Sequence, residues 1–238
     1  MSINLRYQLG RLFRKCGYRL ARDYRWPEVH GNLLALGFAL LRARQKGTIQ
    51  VLQIGAFDGH ACDPLLEVLQ NENVSAILVE PQKIPYERLV ARYANNPRVC
   101  LINAAVAEHD GVVKLYVPGS ADSPKASLIA QHHRRFGSDA KEVRQIEVSS
   151  VSVASLVKRF HELLHLLQVD TEGMDYQILK WFFDAGVEPD VLNFESLHLS
   201  KAERLASRQL LNARGYWWIE SDQDTFALKE SLVKIQQN

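Results

Sequence analysis

The stretch Val51-Leu52-Gln53-Ile54-Gly55-Ala56-Phe57-Asp58-Gly59 reads as an apolar strand that runs directly into a turn. Its glycines, Gly55 and Gly59, remove Cβ atoms where a backbone approaches a ligand or adopts positive φ. A strand that ends in such a turn is typical of the entrance to a nucleotide site. The surrounding sequence has to show which nucleotide-like ligand this turn serves.

The rest of the chain alternates predicted strands and helices, which favours a mostly parallel sheet with helices on its faces. The predicted strands are Val51–Ile54, Ala76–Val79, Val99–Ile102, Val112–Val117, Val143–Val148, Leu166–Val169 and Val191–Phe194, followed by a terminal antiparallel hairpin of Tyr216–Ile219 and Phe226–Leu228. The predicted helices are Glu28–Lys46, Cys62–Gln70, Ile84–Ala94, Ser152–Leu164, Tyr176–Phe183 and Lys201–Ala213. The polar stretch 119–141 shows no clear strand, and we interpret it as a loop or short helices over the site.

The composition is that of an ordinary globular protein, with 47% hydrophobic and 24% charged residues. A net charge of +2 gives no electrostatic footprint for nucleic acid, so nucleic acid is not an expected partner. The three cysteines form no CxxC pair and have no metal-ligand spacing, which favours a reducing cytoplasm. We expect residues 1–47 to form a helical extension and residues 48–238 to form the main domain, and a homo-oligomer stays open.

Residues 1–25 are basic, with Asp23 as their single acid. Three interpretations compete: a solvated helix packed on the domain, a helix that contacts a membrane surface or an acidic partner, and a transit peptide. Gly10 and Gly17 weaken a free-standing helix, and no secretory apolar core is present. We therefore favour the packed helix.

Polar or acidic residues follow the predicted strands at their carboxyl ends, where open α/β sheets bind ligands. Singly, each of them is better explained as a helix cap or a turn residue. Because successive strand ends all carry such a residue, a shared site is the better explanation for the set. The residues are Gly55 and Asp58 after Val51–Ile54, Glu80 after Ala76–Val79, Asn103 and Ala104 after Val99–Ile102, Asp170 and Glu172 after Leu166–Val169, and Glu195 after Val191–Phe194.

The first loop separates two cofactors that both need an acid such as Glu80 for ribose hydroxyls. NAD requires G-x-G-x-x-G with its pyrophosphate at the helix N-terminus. Here the glycines are four residues apart, and Asp58 stands where the diphosphate would lie. A carboxylate disfavours that anion but tolerates a cationic sulfonium with an amino-acid tail. The loop therefore favours S-adenosylmethionine (SAM).

Taken together, the motifs resemble the FkbM-type SAM-dependent methyltransferases over roughly residues 48–230. The resemblance implies an α/β, Rossmann-like class I methyltransferase fold, with a mostly parallel seven-stranded sheet that ends in an antiparallel hairpin. It also implies O-methylation of sugar or polyketide hydroxyls. One departure is Gln53, which stands where many methyltransferases carry an acid. The matching segments are Val51–Gly59, Val79-Glu80-Pro81, Asn103-Ala104-Ala105-Val106, Leu167–Asp175, Asn193-Phe194-Glu195-Ser196 and Asp224-Thr225-Phe226-Ala227-Leu228.

On this basis we assign Asp58 to the amino-acid or ribose part of SAM, Glu80 to the ribose hydroxyls, and Asn103-Ala104 to the adenine edge. The full predicted cofactor-binding set is Gln53, Gly55, Ala56, Asp58, Gly59, Glu80, Pro81, Asn103 and Ala104. The predicted catalytic residues are Asp170, beside the methyl group, with Glu172 and His198, and the predicted acceptor-binding residues are Glu195, His132 and His133.

The expected acceptor is a hydroxyl-bearing small molecule or glycan. Because the sulfonium methyl is already activated, the protein mainly supplies proximity and removes a proton from the alcohol. An Asp and a Glu on neighbouring strand ends would also suit Mg²⁺, which would lower the pKa of the acceptor hydroxyl, and this alternative stays open.

The run His161-Glu162-Leu163-Leu164-His165 satisfies the zinc pattern H-E-x-x-H. It lies at the end of a predicted helix, and no third-ligand motif follows it, so we disfavour zinc. Two other classes of function stay open: an NAD-dependent oxidoreductase with the same architecture, and a non-catalytic interaction module that uses the basic N-terminal helix as its main functional surface.

Overall fold

Two β-sheets with flanking helices form the part of the chain that a computed structural model describes, which comprises residues 26–60, 63–130, 132, 142–160, 163–221 and 223–233. The strands are β1 (Ile49–Ile54), β2 (Val74–Val79), β3 (Val99–Ile102), β4 (Ala105–Ala107), β5 (Gly111–Pro118), β6 (Val143–Ser152), β7 (Leu166–Val169), β8 (Val191–Glu195), β9 (Tyr216–Glu220) and β10 (Asp224–Lys229). The helices are α1 (Trp26–Arg44), α2 (Lys83–Tyr93), α3 (Val153–Val157), α4 (Asp175–Asp184), α5 (Lys201–Ala213) and α6 (Glu230–Val233).

The larger sheet has seven strands in the order β3-β2-β1-β7-β8-β10-β9. Strands β1, β2, β3, β7 and β8 are parallel, whereas β10 runs antiparallel to both β8 and β9. The chain first builds outward from β1 to β3 and then crosses back to β7. Strand order therefore reverses between β1 and β7, which is where an open α/β sheet binds its ligand.

The central strands are buried on both faces, which explains their nearly continuous apolar sequences. On one face, Leu52, Leu167 and Leu192 pack in a core that includes Phe182 and Phe183 of α4. On the other face, the alternate strand residues pack in a second core with the apolar side of α1. That second core includes Val51, Leu166, Val191, Leu34, Leu41 and Phe226.

A row of amide side chains interrupts this second face. Gln53, Gln168 and Asn193 are register partners on β1, β7 and β8, and they are 3%, 4% and 3% exposed. Asn193 Nδ2 donates to Gln168 Oε1 at 2.8 Å, and Gln53 Nε2 donates to Asp63 Oδ1 at 2.9 Å. Buried amides require such partners. Gln53 is therefore fixed by a carboxylate that lies ten residues further along the chain.

The smaller sheet has the order β4-β6-β5, with β6 parallel to β4 and antiparallel to β5. Its inner residues Leu115 and Val117 are buried. Ser127 and Tyr116 exchange two backbone hydrogen bonds, of 2.9 and 3.0 Å, so the segment after β5 is tied back to that strand. Strand β4 was not predicted, because three small residues give no periodic signal.

Two predicted helices are wrong in extent. Within the described part of 62–70, the chain forms turns and a 3₁₀ helix at Val68–Gln70, because Asp63 Oδ1 accepts the Leu65 N–H and holds a local turn. The predicted helix 152–164 is confined to α3, which Ser152 caps by accepting the Ser155 N–H. Residues 61, 62, 161 and 162 lie outside the described residues.

Helix α1 packs against the sheet so closely that a Cβ on its Gly37 would lie 2.8 Å from Val191 Cγ1 and 3.1 Å from Phe226 Cζ. The predicted boundary at residues 47 and 48 stays a prediction. The basic segment 1–25 lies outside the described residues. In the part of the chain that is described, no helix combines the length and apolarity that crossing a membrane requires.

The contact between Gly55 and Asp170 leads to a stability prediction. Gly55 has φ +81°, and a Cβ there would lie 1.7 Å from the Asp170 carbonyl oxygen, so Gly55→Ala should lower the free energy of unfolding by about 3 kcal/mol or more. A Cβ on Gly47 would meet no atom within 4 Å, so Gly47→Ala serves as the control. Urea denaturation measures both, and equal midpoints for the two variants would contradict the prediction.

Candidate functional site

A cavity runs along the carboxyl ends of the parallel strands, from the β3 side to the β7 side. Its β3 side is apolar and includes Ala104, Val106, Leu115 and Leu128. Its middle is formed by the loop after β1 and by the end of β2. Its polar part lies near β1 and β7 and includes Gln53, Asp63, Gln168, Asp170 and Glu172. The cavity thus joins an apolar compartment to a group of amides and carboxylates.

The loop after β1 is held by β2. The N–H groups of Gly55 and Ala56 donate to the Val79 carbonyl at 2.9 and 3.1 Å, and the Phe57 N–H donates to Glu80 Oε2 at 2.9 Å. Phe57 has φ +48°, a conformation that is unfavourable for a residue with a Cβ. The bond to Glu80 compensates for this strain, which is typical of functional sites.

Glu80 is the buried carboxyl in the middle of the cavity. It is 3% exposed, and its Oε1 accepts the Gln82 N–H at 2.8 Å while Oε2 accepts the Phe57 N–H. Burial raises the pKa of Glu80 to about 7, although hydrogen bonds from Gln82 and Phe57 oppose the shift. Each carboxyl oxygen can accept more than one hydrogen bond, so Glu80 retains capacity for hydroxyl donors.

The other predicted cofactor residues divide into two groups. Gln53, Gly55, Ala56, Glu80, Pro81 and Ala104 line the cavity. Asp58, Gly59 and Asn103 are not among its lining residues. Asp58 Oδ1 accepts the His60 N–H at 2.9 Å, and Asn103 Nδ2 donates to the carbonyls of Glu80 and Pro81 at 2.8 and 3.2 Å, so both side chains shape loops beside the cavity.

A second group of side chains, here called the histidine–carboxylate cluster, comprises Asp170, Glu172, Glu195, His132 and His198. Glu172 Oε2 lies 3.0 Å from both His132 Nε2 and His198 Nε2. His198 Nε2 also lies 3.4 Å from Glu195 Oε1, and the two imidazole rings meet edge to face at 4.5 Å. The structure thus brings together five of the six predicted catalytic and acceptor residues, while His133 lies outside the described residues.

The carboxyls of this cluster differ in their pKa values. Burial alone would raise the pKa of Glu172, but the hydrogen bonds from His132 and His198 outweigh it and lower that pKa to about 2. The surrounding protein atoms and the neighbouring carboxylates raise the pKa of Asp170 above its ordinary value, although its side chain is exposed at the cavity. Burial and the same carboxylates raise the pKa of Glu195 to about 11. Glu172 is therefore the ionised member of the cluster.

Two residues that position Glu172 escaped sequence reasoning. Asp175, which is fully buried, accepts the N–H groups of Thr171 and Gly173 at 3.2 and 3.1 Å and so fixes the loop between them. The Ser127 hydroxyl donates to the Glu172 carbonyl at 2.8 Å, and Glu172 has φ +55°. Asp175 could have been predicted, because it lies within the acidic motif Asp170-Thr171-Glu172-Gly173-Met174-Asp175. No feature of the sequence near Ser127 indicates its contact with Glu172.

Two sets of side chains in the cluster have the proximity that a metal ion requires. They are His132, Glu172 and His198, and Asp170, Glu172 and Glu195, with ligand atoms within 4.8 Å of one another. The zinc pattern gains no support, because His165 Nδ1 accepts the Gln50 N–H at 3.0 Å and the ring is 5% exposed. Its other members, His161 and Glu162, lie outside the described residues.

The strand order, with antiparallel β10 beside β8 and a cavity at the carboxyl edge, defines a class I methyltransferase fold. The model of the methyltransferase FkbM domain matches residues 53–216, which is more than half of the chain. The chain therefore belongs to the FkbM methyltransferase family. Membership in this family does not support the alternative of an NAD-dependent oxidoreductase.

Solved structures show distant similarity. The FkbM methyltransferase from Methylobacillus flagellatus KT has 14% identity and a TM-score of 0.49 over 76% of this chain and 43% of that one, so this chain spans less than half of its length. The N-terminal domain of human METTL16 in complex with SAH has 9% identity and a TM-score of 0.47, over 94% and 81%. SAH-bound Podospora anserina PaMTH1 has 11% identity and a TM-score of 0.46, over 97% and 89%. No curated protein matches the chain.

The raised pKa of Glu80 predicts a pH-dependent loss of stability. The unfolded state ionises near pH 4.5 and the folded state near pH 7, so the folded state binds more protons between these values and stability falls as pH rises. Glu80→Gln should remove this contribution, which is about 3 kcal/mol in full. Denaturation of both proteins between pH 5 and 8 measures it, and parallel curves would contradict the assignment.

Proposed function

We propose that the chain transfers the methyl group of SAM to a hydroxyl of a sugar, glycan or polyketide-like acceptor. The observation that carries the proposal is the position of Glu80, whose buried carboxyl lies in a cavity that also contains Asp170 and Glu172. A ligand held at Glu80 therefore has the histidine–carboxylate cluster beside it. The family of the chain fixes methyl transfer as the class of reaction.

The residues of the cavity fit SAM. Its apolar β3 side, with Ala104 and Leu115, suits an adenine ring, and Glu80 can accept the two ribose hydroxyls. The Asp170 carbonyl oxygen occupies the space that a Cβ on Gly55 would need. The loop after β1 and the end of β7 can therefore lie close together around the rest of the ligand. The carboxylates on the β7 side suit a cation.

When bound, SAM would supply an electrophilic methyl group on its sulfonium, and the rest of the cofactor would be released as a neutral thioether. The protein aligns the acceptor oxygen with that methyl group and removes the hydroxyl proton. We assign the proton transfer to His198, because its Nε2 lies 3.0 Å from Glu172, the ionised carboxylate that lines the cavity and would stabilise the imidazolium that forms. Asp170, on the cavity side of the cluster, orients the acceptor hydroxyl.

The charge of the cluster restricts the acceptor. In the pKa shifts of Asp170 and Glu195, neighbouring carboxylates are the largest contribution after burial, and neither residue forms an ion pair with Lys or Arg in the described part of the chain. Since Glu172 is ionised and its neighbours have no such cation beside them among the described residues, this surface favours neutral or cationic acceptors over phosphorylated ones. Absence of nucleic-acid substrates, a cytoplasmic location, a homo-oligomer and membrane contact by residues 1–25 stay predictions.

Calorimetry with SAM and with S-adenosylhomocysteine (SAH) tests the cofactor. The wild-type protein should bind both, and Glu80→Ala should weaken binding at least tenfold because the ribose loses its acceptor, which corresponds to about 1.4 kcal/mol. Glu87→Gln is the matched control, since that carboxylate is exposed on α2. No binding to the wild type would favour the non-catalytic interaction module, and unchanged binding by Glu80→Ala would remove Glu80 from the site.

A screen of sugars and glycans with methyl-labelled SAM supplies an acceptor for the catalytic test. Asp170→Asn and His198→Gln should each lower kcat by about 100-fold, while the affinity for SAM changes little, because general-base and orienting groups act on the transition state. His109→Gln, an exposed histidine, is the control. Wild-type turnover in either variant would remove that residue from the mechanism.

The same assay distinguishes the metal alternative. Turnover that persists in EDTA supports His198 as the base. Turnover that EDTA abolishes and Mg²⁺ restores would instead make the carboxylates of the cluster metal ligands.

A further inference from the structure

Four residues that line the cavity have a buried side-chain oxygen without a hydrogen-bond partner, and besides Gln82 and Thr171 they include two whose side chains are bonded to each other. The unpartnered atoms of these two residues are Gln53 Oε1 and Asp63 Oδ2. Both residues line the cavity, and the Gln53 side chain is 97% buried, since its exposed fraction is 3%. Leaving a buried acceptor unsatisfied costs about 1–3 kcal/mol. Two such atoms on bonded neighbours indicate a missing donor.

The bonds that Asp63 does make show what kind of donor is missing. Its Oδ1 accepts the Gln53 Nε2–H and the Leu65 N–H, both at 2.9 Å, and these bonds fix the plane of the carboxylate. Its Oδ2 has none, and no Lys or Arg of the described residues forms an ion pair with it. Burial raises the pKa of Asp63 and the nearby charge of Asp58 adds to the shift, while the hydrogen bonds from Leu65 and Gln53 and the charge of Arg92 oppose it. A cationic donor would satisfy both the hydrogen bonding and the charge.

The position of Asp63 relative to Glu80 identifies the donor. Glu80 fixes the ribose end of SAM on the β2 side of the β1 loop, and Gln53 and Asp63 lie at the same cavity, on the face of β1 that continues into Gln168 of β7. The cationic donor that SAM carries at the end remote from its adenine is the α-ammonium group. We propose that Asp63 Oδ2 and Gln53 Oε1 bind this ammonium, an inference that rests on the proposed function.

This assignment also explains the amide at position 53. An acid at that position would place a second carboxylate against Asp63, and the two would repel each other. Gln53 instead donates to Asp63 Oδ1 and retains Oε1 as an acceptor for the ligand. In this arrangement the carboxylate that binds the ammonium follows the loop, and Gln53 holds it in place.

Three ligands separate this contact from the rest of the cofactor site: SAH, S-adenosyl-4-thiobutyrate, which lacks only the amino group, and 5′-methylthioadenosine, which lacks the whole amino-acid tail. Asp63→Asn should weaken SAH binding about tenfold or more, because a charge-assisted bond is lost, and change 5′-methylthioadenosine binding less than about twofold. Glu67→Gln removes an exposed carboxylate of the same segment and is the control.

The wild-type protein provides a test that needs no variant. It should bind S-adenosyl-4-thiobutyrate about tenfold more weakly than SAH, and Asp63→Asn should lose most of this difference, as expected for two interacting groups in a double-mutant cycle. Equal wild-type affinity for these two ligands overturns the inference but leaves the proposed function intact. An equal loss of SAH and 5′-methylthioadenosine in Asp63→Asn also overturns it, since it shows a general distortion. No wild-type binding of any ligand overturns the proposed function itself.

Discussion

The close approach of Gly55 to the Asp170 carbonyl is the constraint on which the site depends. It lets the loop after β1 and the end of β7 lie against each other where strand order reverses. A larger residue at position 55 would push apart the two strand ends that carry, on one side, Phe57 with its bond to Glu80 and, on the other, the loop of Glu172. Both loops contain a residue with a Cβ at positive φ, so both are held by their surroundings.

Around this contact the site divides into two electrostatic environments. On the β2 side, Glu80 is enclosed by backbone donors and apolar walls, which suits hydrogen bonding to a neutral diol. On the β7 and β8 side, several carboxyls share a small volume, and only Glu172 receives bonds from two imidazoles. Because the carboxyls lie close together, mutual repulsion adds to burial in raising the pKa values of Asp170 and Glu195, whereas the two imidazoles lower that of Glu172. In the proposed function, cation binding and proton transfer would therefore both belong to the β7 and β8 side of the cavity.

Much of the sheet could be predicted, because buried parallel strands carry apolar runs and their ends carry turn residues; Val99–Ile102, Leu166–Val169 and Lys201–Ala213 match the structure in full. The helices predicted at 62–70 and 152–164 were wrong in extent, because side-chain bonds of Asp63 and Ser152 set local turns that periodicity does not report. Asp63 and Ser127 escaped the search for site residues, since their roles depend on contacts with Gln53 and Glu172 at other places in the chain.

The sequence by itself determined which apolar segments form strands, where the glycines of the first loop lie, and which acids follow the strand ends. These features are enough to predict the fold and the family. Only the tertiary structure decided which acids meet. It placed Asp58 and Asn103 beside the cavity, put Asp63 in it, and joined Glu172 to two histidines from separate segments. The reason is physical: local patterns report burial and turns, whereas the charge and hydrogen bonding of a side chain depend on neighbours that only folding brings within a few ångströms.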